Sequence, residues 1–125
     1  MKISDFAQKT GVSADTVRYY ERIGLLPRAG RDASGHRDYG EGDLVWMAFL
    51  QRLRKTGMSI RDMTRYAVLR DEGDTTLQAR RDMLTAHRKT VRDQLTELRH
   101  SLTALDQKIR IYDAMIIQEK DPQND

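Results

Sequence analysis

Two arginines and two tyrosines crowd the short segment TVRYYERIGLL, residues 16–26. An arginine fork can bind a guanine edge or a phosphate, and a tyrosine hydroxyl suits either target. Consecutive residues of a helix point about 100° apart, so Tyr19 and Tyr20 cannot serve one surface equally. We therefore expect Arg18 and Tyr19 to contact DNA and Tyr20 to be mainly structural. The alternative is a surface ion pair between Arg18 and Glu21.

Short hydroxyl side chains precede this segment at the start of the same predicted helix. Ser13 and Thr16 lie where free backbone N–H groups already favour a phosphate. We expect both to contact DNA, although Ser13 also fits the simpler role of helix cap. Asp15 could accept from a cytosine amino group or hold a neighbouring arginine, but an acidic residue at a helix N-terminus is favoured by the helix dipole alone.

A second cluster with DNA-binding chemistry is GHRDYG, residues 35–40. Arg37 and Tyr39 alternate with Asp38, so on a strand they project from the same face. The chemistry of both side chains suits a phosphate. His36 fits either a DNA contact or packing at the turn.

A third cluster lies at the corner between two predicted helices, in the segment LRKTGMSIRDM. Lys55 supplies charge, and Ser59 is placed to cap the second helix, where free N–H groups can meet a phosphate. The alternative to a DNA contact at this corner is an ordinary helix hairpin.

The elements that position these residues begin with two short helices. Ser4 is expected to cap the first, which Gly11 ends, and Ser13 to cap the second, which runs to about Ile23. Two short helices joined by a tight turn with a glycine form a helix-turn-helix unit.

A polar wing and two further helices complete a predicted DNA-binding domain over residues 1–70. Residues 28–40 are rich in glycine and charge, which predicts a hairpin with a Ser-Gly turn that projects from the core. Helices are expected at 43–56 and at 59 to about 70. Residues 71–74 form a polar linker.

A heptad pattern predicts one long helix over residues 75–120, followed by a flexible tail at 121–125. At about 1.5 Å per residue such a helix is roughly 68 Å long. A domain of about 70 residues cannot cover a continuous apolar stripe of that length, so a partner helix in a homodimer is the simplest solution. The residues expected to form this interface are Leu84, Val91, Leu95, Leu98, Leu102, Leu105, Ile109 and Tyr112.

Composition and charge narrow the function. Residues 1–70 carry 13 Lys and Arg against 8 Asp and Glu, whereas residues 71–125 carry 9 against 11, so the basic excess lies in the N-terminal part. The chain has no cysteine, which excludes thiolate metal sites and thiol sensing. His87 and His100 point apart on a regular helix, so we expect no metal and no cofactor. No catalytic constellation or membrane segment stands out, and a cytoplasmic protein that is not an enzyme is expected.

In their order along the chain, these features resemble the MerR family of bacterial transcription regulators. The resemblance rests on GVSADTVRYYERIGLL, GHRDY, LRKTGMSIRDM and the heptad helix, and it covers nearly the whole chain. It implies a mainly helical fold: a winged helix-turn-helix domain with a small hairpin wing, followed by a long helix that dimerises as an antiparallel coiled coil.

The resemblance further implies that Arg37 and Tyr39 contact phosphate, and that Lys55 and Ser59 contact DNA from a second wing. It also implies a mode of action. Such dimers bind a palindromic promoter in which an overlong spacer separates the two elements that RNA polymerase recognises. They bend and untwist this DNA, so that RNA polymerase can recognise both elements.

The segment from Met58 to Arg88 is similar to a branch that senses aldehydes through a cysteine, which would fall near Arg52 and is missing. A signal is therefore expected to be a non-thiol one. Either a small-molecule effector is held at the junction of the domain and the coil, or the protein needs no effector. Trp46, Tyr66 and Met63 could line the pocket of such an effector, although core packing is their simpler role.

Two other functions fit parts of the sequence. An architectural DNA-binding protein of the excisionase type shares the winged fold, but the long dimerisation helix argues against it. A coiled-coil protein-interaction module would need neither the basic N-terminal part nor the arginine and tyrosine of the wing.

Overall fold

The computed structural model describes residues 1–27 and 30–120, and it is mainly helical with a small two-stranded hairpin. The predicted tail at 121–125 and the first two residues of the predicted wing segment lie outside the described residues. In chain order the elements are α1 (Ile3–Thr10), α2 (Ala14–Arg22), β1 (Gly30–Arg31), β2 (Arg37–Asp38), α3 (Glu41–Lys55), α4 (Ile60–Glu72), a 3-10 turn (Asp74–Thr76) and α5 (Leu77–Lys120). The chain divides into two compact units, Met1–Thr85 and residues 86–125.

The helix-turn-helix unit forms as predicted. Gly11 adopts a left-handed conformation with φ of 76°, which a glycine takes without steric cost. The N–H groups of Gly11 and Val12 both donate to the carbonyl oxygen of Ala7, at 2.9 and 3.2 Å, and close α1. The hydroxyl of Ser13 then accepts from the N–H of Thr16 at 3.1 Å and opens α2.

The start of α1 differs from the prediction. The helix begins at Ile3, with Lys2 in the N-cap position and no capping side-chain hydrogen bond, so Ser4 lies within the first turn. The helix gains its first turn because the N–H of Phe6 reaches the carbonyl oxygen of Lys2 at 3.0 Å. The predicted cap at Ser4 was therefore wrong by two residues.

One hydrophobic core holds the first unit together. The ring of Phe6 from α1 stacks on Tyr39 at the end of the wing, with ring centroids 4.5 Å apart. Leu25 and Leu26, which follow α2, are fully buried. The buried core comprises Phe6, Ala7, Val17, Leu25, Leu26, Tyr39, Trp46, Met47, Leu50, Leu53, Met58, Met63, Tyr66 and Ala67.

The wing is a short antiparallel hairpin in which Arg31 of β1 lies opposite Arg37 of β2. Its tip is closed by Asp32, whose carboxylate accepts from the N–H groups of Ser34 at 2.9 Å and His36 at 3.0 Å. The hydrogen bond from His36 is the main cause that lowers the pKa of the Asp32 carboxyl. The turn therefore fixes the direction in which the strands present their side chains.

Helices α3 and α4 meet at a tight corner, and α5 follows a second one. Ser59 caps α4 by accepting from the N–H of Asp62 at 3.1 Å, as predicted. At the second corner the hydroxyl of Thr76 donates to the carbonyl oxygens of Leu69 and Gly73. These bonds join the last turn of α4 to the segment that starts α5.

Helix α5 has 44 residues, which corresponds to about 66 Å. In the second unit its heptad leucines and isoleucines are exposed, Leu95 at 45% and Leu98 at 67%. No helix of the described ranges is both long and apolar enough to cross a bilayer.

Candidate nucleic-acid interface

A basic cleft lies where α2, the start of α1 and the wing come together. Its volume is about 350 Å3, and its lining residues are Lys2, Ile3, Ser4, Arg18, Arg31, Gly35, His36 and Arg37. Among these described lining residues, four are permanently cationic and none is acidic. A concave surface with this charge concentrates a polyanion such as DNA.

Arg18 projects from α2 into this cleft. One of its terminal nitrogens lies 3.0 Å from a carboxylate oxygen of Asp15, in an ion pair whose two partners are both largely exposed. An exposed pair of this kind contributes little to stability. Asp15 therefore orients Arg18 and leaves most of its donors to solvent, and the alternative pairing of Arg18 with Glu21 was wrong.

The two adjacent tyrosines take different roles. Tyr19 is 40% exposed, and the guanidinium of Arg22 lies 5.5 Å from its ring centroid. Tyr20 is half-buried and packs against the core, as predicted. The N–H groups of Leu25 and Leu26 both donate to the carbonyl oxygen of Tyr20, so the residue also anchors the exit of α2. The contact of Tyr19 with DNA stays a prediction.

Ser13 and Thr16 form one hydroxyl pair at the start of α2. Their oxygens are 3.0 Å apart, and the oxygen of Ser13 already accepts the N–H of Thr16. Ser13 is therefore a helix cap, and the contact of either hydroxyl with DNA stays a prediction.

Tyr39 requires a correction. Its side chain is 2% exposed, its ring stacks on Phe6, and its hydroxyl donates to the carboxylate of Glu21. The expectation that this hydroxyl contacts a phosphate is wrong, because the group is buried and its proton is engaged. Burial, reinforced by the bond to Glu21, raises the pKa of Tyr39 to about 12.

Glu21 is the residue that the sequence analysis missed. Its side chain is only 3% exposed, and Oε2 lies 2.5 Å from a terminal nitrogen of Arg37. Hydrogen bonding to Tyr39 and the negative charge of Glu21 raise the pKa of the Arg37 guanidinium. The signal was present in the spacing, since Glu21 follows Val17 by four residues and so shares its buried helix face.

The pair with Glu21 fixes the position of Arg37, whose contact with DNA stays a prediction. The guanidinium has five N–H donors, and the pair with Glu21 leaves others available. Arg37 is half-buried and lines the basic cleft, so it lies between the carboxylate beneath it and the open side. One buried carboxylate thus fixes the wing to α2 through both Arg37 and Tyr39.

The remaining predicted contacts divide between two places. His36 is exposed and lines the cleft with Arg18 and Arg37. Lys55 and Ser59 are exposed at the corner between α3 and α4, outside the lining of the cleft. Met58 is buried between them and holds that corner to the core. Their contact with DNA stays a prediction.

Comparisons with known proteins assign the chain to a family through two segments. The model of the MerR family regulatory protein matches residues 2–39, and that of the MerR DNA-binding region matches residues 44–108. The chain belongs to the MerR family. An HTH-type transcriptional regulator of Haemophilus influenzae is 41% identical over 106 residues, which cover 85% of this chain and 78% of that protein.

Two other MerR relatives support this assignment. The transcriptional regulator AdhR of Bacillus subtilis is 43% identical over 89 residues, covering 71% of this chain and 64% of AdhR. The crystal structure of HiNmlR, a MerR family regulator lacking the sensor domain, bound to promoter DNA, superposes with a TM-score of 0.82 at 38% identity and covers 90% of each chain. This MerR protein is thus a DNA-binding transcriptional regulator and not an enzyme.

Proposed function

We propose that the protein acts as a homodimer that binds a palindromic operator within a promoter, with α2 and the wing of each protomer on the DNA. The basic cleft carries this proposal, because it joins Arg18, Arg37 and His36 on one concave surface. The promoter-bound structure of the related HiNmlR supports it. Promoter DNA lies in the cytoplasm, and the proposed function places the protein there.

The homodimer is inferred from the exposed apolar seams of α5. Leucines and isoleucines repeat along the second unit at heptad spacing, and each is about half exposed in the single chain. An apolar stripe of this extent is unfavourable in water and is characteristic of an interaction surface. An antiparallel coiled coil of two α5 helices buries both seams and supplies the two-fold symmetry that a palindromic operator requires.

The proposed mode of regulation is deformation of the promoter. The dimer bends and untwists an overlong spacer, and the distorted DNA then presents both recognition elements to RNA polymerase. The signal that triggers this change does not involve a thiol, since the chain has no cysteine.

Operator selection from random DNA, followed by footprinting, tests the DNA-binding proposal. We expect a two-fold symmetric footprint and a loss of affinity of about tenfold or more for Arg18→Ala, because a bidentate guanine contact contributes roughly 1–3 kcal/mol. Arg110→Ala is the matched control, since this exposed arginine of α5 lies outside both heptad seams. Unchanged affinity of Arg18→Ala with an intact dimer would contradict the role of α2.

A promoter with its spacer shortened distinguishes regulation by distortion from a purely architectural role. We expect the natural promoter to need the protein for transcription and the shortened promoter to be transcribed without it. An architectural protein of the excisionase type would leave both promoters equally active in a purified transcription assay. The 44-residue helix α5 disfavours that alternative.

A further inference from the structure

A second cavity lies on the first unit, between α3, α4 and the first turns of α5. Its volume is about 580 Å3, within the range of roughly 300–1,000 Å3 that small-molecule sites occupy. It shares no lining residue with the basic cleft. The lining residues are Gly42, Val45, Trp46, Phe49, Tyr66, Arg70 and Arg80.

Aromatic rings form one side of this cavity. Trp46 and Tyr66 stack with ring centroids 5.8 Å apart, and Phe49 lies 6.4 Å from Trp46 and 5.9 Å from Tyr66. The indole N–H donates to the carbonyl oxygen of Leu25 at 2.8 Å, which fixes the orientation of Trp46. Val45 adds an aliphatic side chain that is largely exposed. Trp46 and Tyr66 are themselves buried, at 6% and 8% exposed, so the apolar wall that faces the cavity is formed mainly by Phe49 and Val45.

Two arginines border the wall. The guanidinium of Arg70 lies over the ring of Trp46, 4.1 Å from its centroid. Arg80 is held from the other side, because its Nε donates to the hydroxyl of Thr76 and a terminal nitrogen donates to the carbonyl oxygen of Gly73, both at 3.1 Å. Both guanidiniums are thus fixed in place by neutral partners.

Among the described residues, neither arginine has an acidic partner. In the ranges that the structure describes, no ion pair joins Arg70 or Arg80 to a carboxylate, although both side chains are half-buried. A half-buried cation loses hydration that only a counter-charge restores in full. Both guanidiniums leave N–H donors at the edge of an apolar cavity, where a carboxylate can accept hydrogen bonds from them.

We infer that this cavity binds a small organic anion, with an aromatic or flat apolar body against Phe49 and Val45 and a carboxylate between Arg70 and Arg80. The ligand would touch α3, α4 and the start of α5 at once. Such contacts can bias the packing of these three helices without a thiol. The role of this ligand as the regulatory signal rests on the proposed function, whereas the binding of the ligand does not.

Fluorescence of Trp46, the only tryptophan in the chain, gives a direct binding test. The probe is 3-phenylpropanoate, and its matched control is the neutral amide 3-phenylpropanamide. We expect a saturable change in fluorescence with the carboxylate. The amide should bind more weakly by about tenfold or more, because hydrogen bonds to a charged group are stronger than those to a neutral group. Equal affinities, or no saturable change with the carboxylate, would overturn the inference.

Substitutions on the protein give an independent test by equilibrium dialysis of the same probe. Arg70→Gln and Arg80→Gln should each weaken 3-phenylpropanoate binding about tenfold and leave binding of the amide unchanged. Arg65→Gln, an exposed arginine of α4 outside the cavity, is the matched control and should bind like the original protein. Equal carboxylate affinity in all three variants would overturn the inference. Arg80→Gln leaves the stacking of Arg70 on Trp46 in place, so it also tests the site if Arg70→Gln unfolds.

Sedimentation and operator binding separate this inference from its rivals. If a second copy of the chain fills the cavity, the two arginine variants will shift the oligomeric state and 3-phenylpropanoate will not bind, which overturns the inference. Operator binding without ligand should be the same in Arg80→Gln as in the original protein. Binding of 3-phenylpropanoate that leaves operator distortion unchanged would overturn the regulatory role of the ligand. Failure of the protein to bind any operator would overturn the proposed function, while the inferred anion site would stand.

Discussion

At the scale of single residues, the proposed DNA-binding surface depends on a buried carboxylate that is not part of that surface. Glu21 is buried beneath the wing, where its carboxylate accepts a hydrogen bond from the hydroxyl of Tyr39 and forms an ion pair with Arg37 at 2.5 Å. A buried carboxylate is costly unless its oxygens are satisfied. Because the two partners both come from the wing, satisfying Glu21 also sets the position of Arg37.

The raised pKa of Tyr39 gives a prediction about stability at alkaline pH. A tyrosine titrates near 10 when unfolded, whereas Tyr39 titrates at about 12 in the fold. The Tyr39 hydroxyl therefore stays protonated up to a higher pH in the folded state than in the unfolded state. The stabilisation that results from this raised pKa is fully present below pH 10 and is lost as the pH rises towards 12.

Urea titrations between pH 7 and 12 measure this effect. Tyr39→Phe should lower the free energy of unfolding at pH 7 by about 1–3 kcal/mol, since it leaves a carboxylate oxygen of Glu21 without a donor. It should also remove part of the decline between pH 10 and 12. Tyr19→Phe, at an exposed tyrosine, is the control and should keep both the stability and the decline. The same decline in Tyr39→Phe as in the original protein would contradict the role given to this hydroxyl.

At the scale of elements, the turn between α1 and α2 and the long helix α5 followed from local signals. Gly11 and Ser13 mark the turn between α1 and α2 because one needs a positive φ and the other caps a helix. The heptad repeat predicted α5 because residues at seven-residue spacing return to the same helix face. These signals act within a few residues, so the sequence alone displays them.

Contacts between distant segments were beyond such reasoning. Alternation placed Arg37 and Tyr39 on the same strand face, but it could not show that Glu21, 18 residues before Tyr39, lies opposite that face. Glu21 shares a helix face with Val17, yet a charged residue is rarely buried without a partner that the sequence does not reveal. The stacking of Arg70 on Trp46 depends in the same way on how α3 and α4 pack.

The seams of α5 give a prediction at this scale. Replacing Leu98 and Leu105 with glutamate places like charges along one seam of the proposed interface, and we expect monomers that bind the operator poorly. Analytical ultracentrifugation measures the change, and circular dichroism checks that α5 stays helical. Replacing His100 and Gln107, which are exposed and lie outside both seams, with glutamate is the matched control and should leave a dimer. A stable dimer of the Leu98 and Leu105 variant would contradict the coiled coil.

At the scale of the whole molecule, charge and apolar surface are separated along the chain. Residues 1–70 have a net charge of +5, from 13 basic and 8 acidic residues, and they hold the basic cleft. The exposed heptad leucines and isoleucines lie in the second unit. In the proposed dimer, one part of the chain pairs the protomers and the other meets the phosphates of both half-sites.

The dependence of operator affinity on salt tests this account most directly. Phosphate contacts release counterions, so the logarithm of the binding constant should fall steeply and linearly with the logarithm of the KCl concentration. Lys55→Ala should bind more weakly and reduce the slope by about two for the dimer, one for each protomer. An operator affinity that does not change with salt would contradict DNA binding through the basic surface, and an unchanged slope in Lys55→Ala would remove that residue from the interface.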